Sequence, residues 1–228
     1  MTNFDIKIVS DTVCPWCYVG KKRLEKGIAA YKAAHPDSTD TFSTTWFPFY
    51  LNPDAPKSID KTAYYKSKFG EARTEAIFQR LGALGKDEGI NFKFGGRTGN
   101  TRDSHRLVQL GKTKGPAVQT RVIEELFSDY FENERDITTK EVLAEAGVRA
   151  GLGKDEVKAW LDGEGGGKLV DKEVQDAYEQ NIHGVPNFTI NDKFEVGGAQ
   201  EPAAFVQLFE RLKRQEGASG VSQSANLC

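Results

Sequence analysis

The sequence predicts an α/β fold in which two sheet-forming segments are separated by a long helical block. Three observations carry this. Residues 4–10 and 41–51 alternate β-branched and aromatic residues, as a half-buried strand does. From about residue 59 to 177 the apolar spacing changes to three and four, the helical period. Residues 187–197 then return to a strand–turn–strand pattern. At 228 residues the chain is long enough to bury a substantial core.

The first strand holds Phe4, Ile6 and Ile8 on one face. A helix is expected over 15–34, ending before His35-Pro36. The strand over 41–51 contains Pro48, which argues for a strand end or an edge, and Asn52-Pro53-Asp54-Ala55-Pro56 reads as a turn-rich linker. Within the helical block, 116–133 is the clearest helix: Val118, Val122, Leu126 and Tyr130 recur every four residues, with Ile123, Phe127 and Phe131 beside them. Thr138-Thr139-Lys140-Glu141 resembles a capping box. Asn191-Asp192 turns the late hairpin, and a closing helix runs from about 201 to 214 with Pro202 near its start. Small polar residues make 217–228 a mobile tail.

The chemistry lies between the first strand and the first helix, at Cys14-Pro15-Trp16-Cys17. A thiol at a helix N-terminus faces unpaired N–H groups and the positive end of the dipole, which favour its nucleophilic thiolate. Cys17 follows one turn later on the same side and is expected to be the more buried, resolving thiol. Pro15 suits a first helical turn. Pro15 and Trp16 would tune the thiolate, and Trp16 either contacts substrate or packs on the helical block. A strand, a C-x-x-C and a helix in this order are how a thioredoxin-like redox site reads.

Other readings of the pair are weaker. A zinc site needs further ligands, but the remaining cysteine is Cys228 and the histidines (His35, His105, His183) are scattered singly. A structural disulfide over so small a loop would constrain the unfolded chain little. Far along the chain, Gly184-Val185-Pro186 opens the third strand. Pro186 fits the cis-proline beside a C-x-x-C, exposing the backbone of Val185. An ordinary trans proline at a strand start is the alternative. His183 is near enough to be a site candidate. Asp11 is either a proton acceptor for Cys17 or a capping, surface aspartate.

The net charge of −2 gives no basic footprint for nucleic acid, and no apolar run approaches membrane-spanning length. Charges near Met1 leave no export signal, so a cytoplasmic location is expected.

Five segments give the chain a resemblance to the DsbA-like thioredoxin superfamily, and within it to the FrnE-type dithiol oxidoreductases. They are Asp11–Gly20, Pro48–Pro53, Asn100–Leu107, Gly184–Pro186 and Gly198–Gln200. The resemblance implies an α/β thioredoxin fold with a large all-helical insertion domain. The thioredoxin-like part would comprise 1–58 and 178–216, the insertion 59–177, with the active site in the groove between them. It also implies thiol–disulfide exchange through Cys14 and Cys17, with Pro186 as the third catalytic element. Partners would be disulfide-containing proteins or small thiols, with neither nucleic acid nor membrane, and homodimerisation is common in related folds. No tightly bound cofactor is implied.

Kappa-class glutathione transferases and 2-hydroxychromene-2-carboxylate isomerases share this architecture, bind glutathione and usually carry serine at the position of Cys14. By analogy with them, Asn52, Val185, Ala199 and Gln200 would hold glutathione as a co-substrate. A non-catalytic client-binding groove of Trp46, Phe49 and Tyr50 is the third reading. The chain departs from the family pattern at Phe47, where an arginine is expected, and at the single Cys228.

Overall fold

Alternation makes residues Asn3–Ser10 a strand (β1): Phe4, Ile6 and Ile8 are fully buried on one face, while Asp5 and Lys7 point to the other. β1 pairs in parallel with β2 (Thr41–Pro48) and antiparallel with β5 (Asn187–Ile190), which pairs antiparallel with β6 (Phe194–Gly197). The sheet order is β2-β1-β5-β6. This computed structural model describes residues 1–224, with side chains described through Gln215.

β2 stops at Pro48, which has no N–H to extend the ladder, although Phe49 N still donates to Ser10 O at 3.0 Å. Asn191 and Asp192 turn the hairpin with φ of 51° and 55°, in the left-handed region that short polar side chains tolerate.

Helix α1 (Pro15–Ala34) links β1 to β2 and packs beside the closing helix α9 (Pro202–Ser224). The two approach closely: a Cβ at Gly27 would lie 3.0 Å from Phe205 Cβ. α9 continues about ten residues past its expected end, because no proline after Pro202 interrupts its hydrogen-bond ladder. The segment 217–224 therefore has a helical backbone. Residues 225–228, including Cys228, lie outside the described residues.

Between β2 and β5 the chain is helical: α2 (Lys61–Phe69), α3 (Glu71–Glu88), α4 (Arg102–Thr113), α5 (Pro116–Phe127), α6 (Lys140–Arg149), α7 (Lys154–Asp162) and α8 (Gly167–Glu179). Two short strands, β3 (Ile59–Asp60) and β4 (Arg97–Thr98), pair with each other. The single helix expected over 116–133 is α5 followed by a π turn at Ser128–Glu132. The wider turn keeps Tyr130 and Phe131 buried in line with Leu126 and Phe127. α6 is capped by Thr139, whose hydroxyl accepts from Val142 N at 3.4 Å.

This block does not build a core of its own. Its Leu107, Val122, Leu126, Phe127 and Leu143 belong to the same buried cluster as Phe4, Ile6 and Ile8. Tyr18 of α1 is a bridge, stacked on Phe127 at 5.0 Å and edge-on to Phe92 at 6.3 Å. Trp46 and Phe49, candidates for a client-binding groove, are 2% and 3% exposed and belong to the interior.

The block also closes one sheet edge. The buried Gln119 amide of α5 donates to Trp46 O at 2.8 Å, and its oxygen accepts from Trp46 N at 3.0 Å. That clasp satisfies outward backbone groups that an edge strand leaves open. Among the described residues no helix is long and apolar enough to cross a membrane.

Asp40 ties three elements together. It accepts from Thr2 N at 2.8 Å, Tyr31 Oη at 2.8 Å and Lys213 Nζ at 2.7 Å. Burial pushes its carboxyl up, but these donors and Ser38 outweigh that and hold it well below the ordinary carboxylate range. A depressed folded-state pKa gives stability that is present above about pH 4, the unfolded value, and is lost as pH falls toward the folded one. Asp40→Asn should therefore shrink the fall in urea midpoint between pH 6 and pH 3. An equal fall in both proteins would show that Asp40 does not contribute to acid sensitivity.

Candidate active site

The turn after β1 delivers the first cysteine to the start of α1. Cys14 N donates to Asp11 O at 3.1 Å, and Cys17 N donates to Cys14 O at 3.1 Å. Cys14 is the N-cap residue with extended backbone (φ −89°, ψ 113°), and Pro15 occupies the first turn. No acidic residue lies in that turn to oppose a thiolate. The two thiols are unpaired. Cys14 Sγ donates to Val185 O at 3.6 Å. The Val185–Pro186 peptide is cis. Pairing of Val9 with Asn187 brings this loop to the end of β1, so residues 171 apart in sequence meet.

Close packing of α1 holds the arrangement. A Cβ at Gly20 would lie 2.8 Å from Pro186 Cγ and 3.1 Å from Phe188 Cζ, so glycine there lets the helix rest directly on the proline loop.

Burial pushes the Cys17 thiol well above its ordinary value, and contact with Cys14 and its charge push the same way. The Ser10 hydroxyl and the Asp11 backbone pull in the opposite direction but do not prevail. Cys17 is thus a protonated, fully enclosed thiol. Cys14 is only 3% exposed, against 1% for Cys17, so the contrast expected between an open and a closed thiol is small. Tyr65 of α2 stands close enough for the charge on Cys14 to act on it; burial first, then that charge, pushes its hydroxyl up to about 12.

The other sequence candidates fall into three places. Pro15, Trp16 and Val185 surround the thiols. Trp16 is 37% exposed with the Arg80 guanidinium of α3 over its ring at 5.8 Å, so it both meets solvent and touches the helical block. His183 lies exposed on the loop before Pro186. The proposed glutathione residues are dispersed. Asn52 Nδ2 donates to Tyr64 Oη at 2.7 Å and lines a cavity that does not include Val185, Ala199 or Gln200. Ala199 O accepts from Arg23 Nη1 at 2.8 Å, about two turns along α1 from the thiols. Gln200 is exposed, its amide turned back to Gly197 O.

Asp11 is neither a surface nor a capping residue. It is 1% exposed; Oδ2 accepts from Leu51 N at 2.9 Å, and Oδ1 has no hydrogen-bond partner among the described residues. His105 packs against it with Nε2 3.5 Å from Oδ1 and hydrogen-bonded to Phe49 O at 3.1 Å.

The segment Asn100–Leu107 proves to be the joint between the site and the helical block. Ser104 Oγ pairs with Thr12 Oγ1 at 2.7 Å. Arg102 grips Asp171 through two 2.9 Å bonds. Buried Arg106 donates to the carbonyls of Trp160 (2.6 Å) and Gly163 (2.5 Å), closing the end of α7. Ser10 and Tyr65 escaped the sequence reading. Ser10 directly precedes Asp11 and had a local signal, whereas Tyr65 arrives from the helical block without one.

Two outcomes follow. Gly20→Ala should lower stability by about 1–3 kcal/mol through overpacking against Pro186, reversing the gain alanine brings to an open helix site. A raised urea midpoint would refute the close approach. Cys17 should resist iodoacetamide at pH 7 in the folded, reduced protein and react once urea is added. Free-thiol reactivity in the native state would contradict its enclosure.

A model of the DSBA-like thioredoxin domain matches residues 5–210. The chain is 25% identical over 198 residues to the uncharacterized protein YwbO of Bacillus subtilis, covering 85% of this chain and 90% of that one. The crystal structure of a probable DsbA oxidoreductase from Streptomyces coelicolor superposes with a TM-score of 0.82 at 30% identity, covering 91% of this chain and 89% of the other. The cytosolic disulfide reductase DsbM of Pseudomonas aeruginosa, solved with GSH, shares the fold at 15% identity and a TM-score of 0.60, covering 92% and 99%. With a turn-borne Cys14-Pro15-Trp16-Cys17 against the Val185–Pro186 loop and a family match over nearly its whole length, this chain belongs to the DsbA-like thioredoxin family.

Proposed function

We propose that this protein is a thiol–disulfide oxidoreductase acting through Cys14 and Cys17. The observation that carries the reading is the pair of unpaired, mutually contacting thiols at the start of α1, one of them hydrogen-bonded to the carbonyl of Val185. Family membership supports it at the level of chemistry.

In the reducing direction, Cys14 thiolate attacks one sulfur of a substrate disulfide. The sulfur–sulfur bond breaks, the leaving thiolate takes a proton from solvent, and a Cys14–substrate disulfide remains. Attack removes the Cys14 charge that helps keep Cys17 protonated. Cys17 then loses its proton and attacks Cys14 Sγ, releasing the second substrate thiolate. The enzyme leaves as the Cys14–Cys17 disulfide, the substrate as two thiols, with two electrons transferred. The reverse sequence oxidises a dithiol. Ser10, whose buried hydroxyl has no other partner among the described residues, supports the transient Cys17 thiolate.

Disulfide-bearing proteins and low-molecular-weight thiols are the substrates this reading assigns, with glutathione as a co-substrate and a cytoplasmic setting. Cysteine at position 14, where the transferase-like branch usually has serine, favours dithiol exchange over glutathione conjugation.

Reduction of insulin by dithiothreitol tests the proposal. Wild type should shorten the lag before insulin precipitates, and Cys14→Ser should match the uncatalysed rate. Cys17→Ser should accumulate a mixed disulfide visible as added mass. Equal turnover by wild type and Cys14→Ser would overturn the assignment.

A further inference from the structure

Two cavities flank the active-site turn. Asp11 and Val13 line the larger, of about 240 Å³, and Pro15 lines the smaller, of about 10 Å³. Tyr65 of α2 and Tyr130 border both. These tyrosines therefore stand against the turn on either side of Cys14. Tyr130 is committed: its hydroxyl donates to Thr98 Oγ1 at 2.9 Å, and the Lys61 ammonium lies over its ring at 3.8 Å. The Tyr65 hydroxyl has no hydrogen-bond partner among the described residues, yet it lies within reach of the charge on Cys14. Burial, and after it that charge, keep the hydroxyl protonated up to about 12, so it stays a donor while a thiol ionises.

The helix holds this donor in place. Asp60 caps α2 by accepting from Ala63 N at 2.7 Å. Lys61 anchors the first turn, its N donating to Gly96 O at 3.0 Å and its Nζ to Tyr130 O at 2.9 Å. The Tyr65 ring packs on Phe69 at 5.7 Å and on Phe78 of α3 at 5.3 Å. A donor fixed by packing stabilises developing charge without having to reorganise.

The sulfur needs such a donor. Val185 O accepts from the Cys14 thiol, so it suits the protonated sulfur and opposes the ionised one. Pro15 brings no N–H. The Cys17 thiol touches Cys14, but its proton is gone once Cys17 resolves the mixed disulfide.

Resting on the dithiol reading above, we propose that Tyr65 is the hydrogen-bond donor that the helical block supplies to the Cys14 sulfur, stabilising its thiolate both when it attacks and when it is expelled. No proton leaves the Tyr65 oxygen, and the bonds broken and formed remain those of the two sulfur exchanges. The helical block is then part of the catalytic apparatus.

Tyr65→Phe keeps the ring and removes only the oxygen. In a Cys17→Ser, Cys228→Ser background Cys14 is the sole thiol of the chain, and its ionisation is followed in the ultraviolet thiolate band as pH rises. Tyr65→Phe should move the half-ionised point up by about one pH unit, as the loss of one hydrogen bond to a charged group requires. With all cysteines present, the same change should slow insulin reduction at pH 7 about threefold, since the more basic thiolate is rarer but more nucleophilic. Tyr64→Phe should alter neither, because the Tyr64 hydroxyl is engaged by Asn52 Nδ2 at 2.7 Å.

Site-specific 3-fluorotyrosine at position 65, a stronger donor of nearly the same shape, should move the half-ionised point down. It also covers the case in which Tyr65→Phe fails to fold. An unmoved half-ionised point in Tyr65→Phe, an equal shift in Tyr64→Phe, or an upward shift with 3-fluorotyrosine would overturn the role of Tyr65. Wild type that fails to reduce insulin would instead overturn the dithiol reading itself.

Discussion

Everything in this molecule turns on the contact between the first turns of α1 and the Val185–Pro186 loop. It joins residues 171 apart in sequence and leaves no room for a side chain at position 20. β1 makes the contact unavoidable: it pairs with β5 on one side and leads directly into the Cys14 turn at its end. Sheet register therefore decides where the sulfur lies. A slip of one residue would turn Phe4, Ile6 and Ile8 outward and carry the proline loop away with β5.

Around that contact the protein places polar groups where a purely apolar interior would be easier to build. Asp11, Ser10, Thr12, Ser104 and His105 are all buried at the seam between the sheet and the helical block. Most find partners within the seam. Two do not: among the described residues the Ser10 hydroxyl and one Asp11 oxygen have no hydrogen-bond partner. Unsatisfied atoms of this kind concentrate where chemistry is done. The former lies beside the resolving sulfur.

Much of this was legible in the chain. Alternating Phe4, Ile6 and Ile8, the Pro15 start of α1, the Asn191-Asp192 turn and the Pro202 start of α9 are local signals, and each lies where the sequence puts it. The Cys14–Cys17 spacing pointed to dithiol chemistry, and the Val185–Pro186 loop lies against it. What was not legible depends on partners distant in sequence. Asp11 read either as a proton acceptor for Cys17 or as a capping, surface aspartate, because nothing nearby reveals that Leu51 and His105 enclose it. Cys17 read as the more buried thiol, but nothing local reveals that Cys14 is nearly as enclosed, 3% against 1% exposed. The periodicity over 116–133 ran on smoothly, yet the backbone widens at Ser128. A π turn adds one residue to the cycle without disturbing a broad apolar stripe.

The amide of Gln119 has a consequence for how this chain can associate with others. By occupying the outward N–H and C=O of Trp46, it seals the β2 border, and a foreign strand cannot be added there without first expelling a buried side chain. β6 forms the opposite border of the sheet, with Glu195 and Gly197 exposed along it. Among the described residues the sheet's two borders thus differ: β2 is closed at Trp46 by a buried side chain, whereas no such clasp is described on β6.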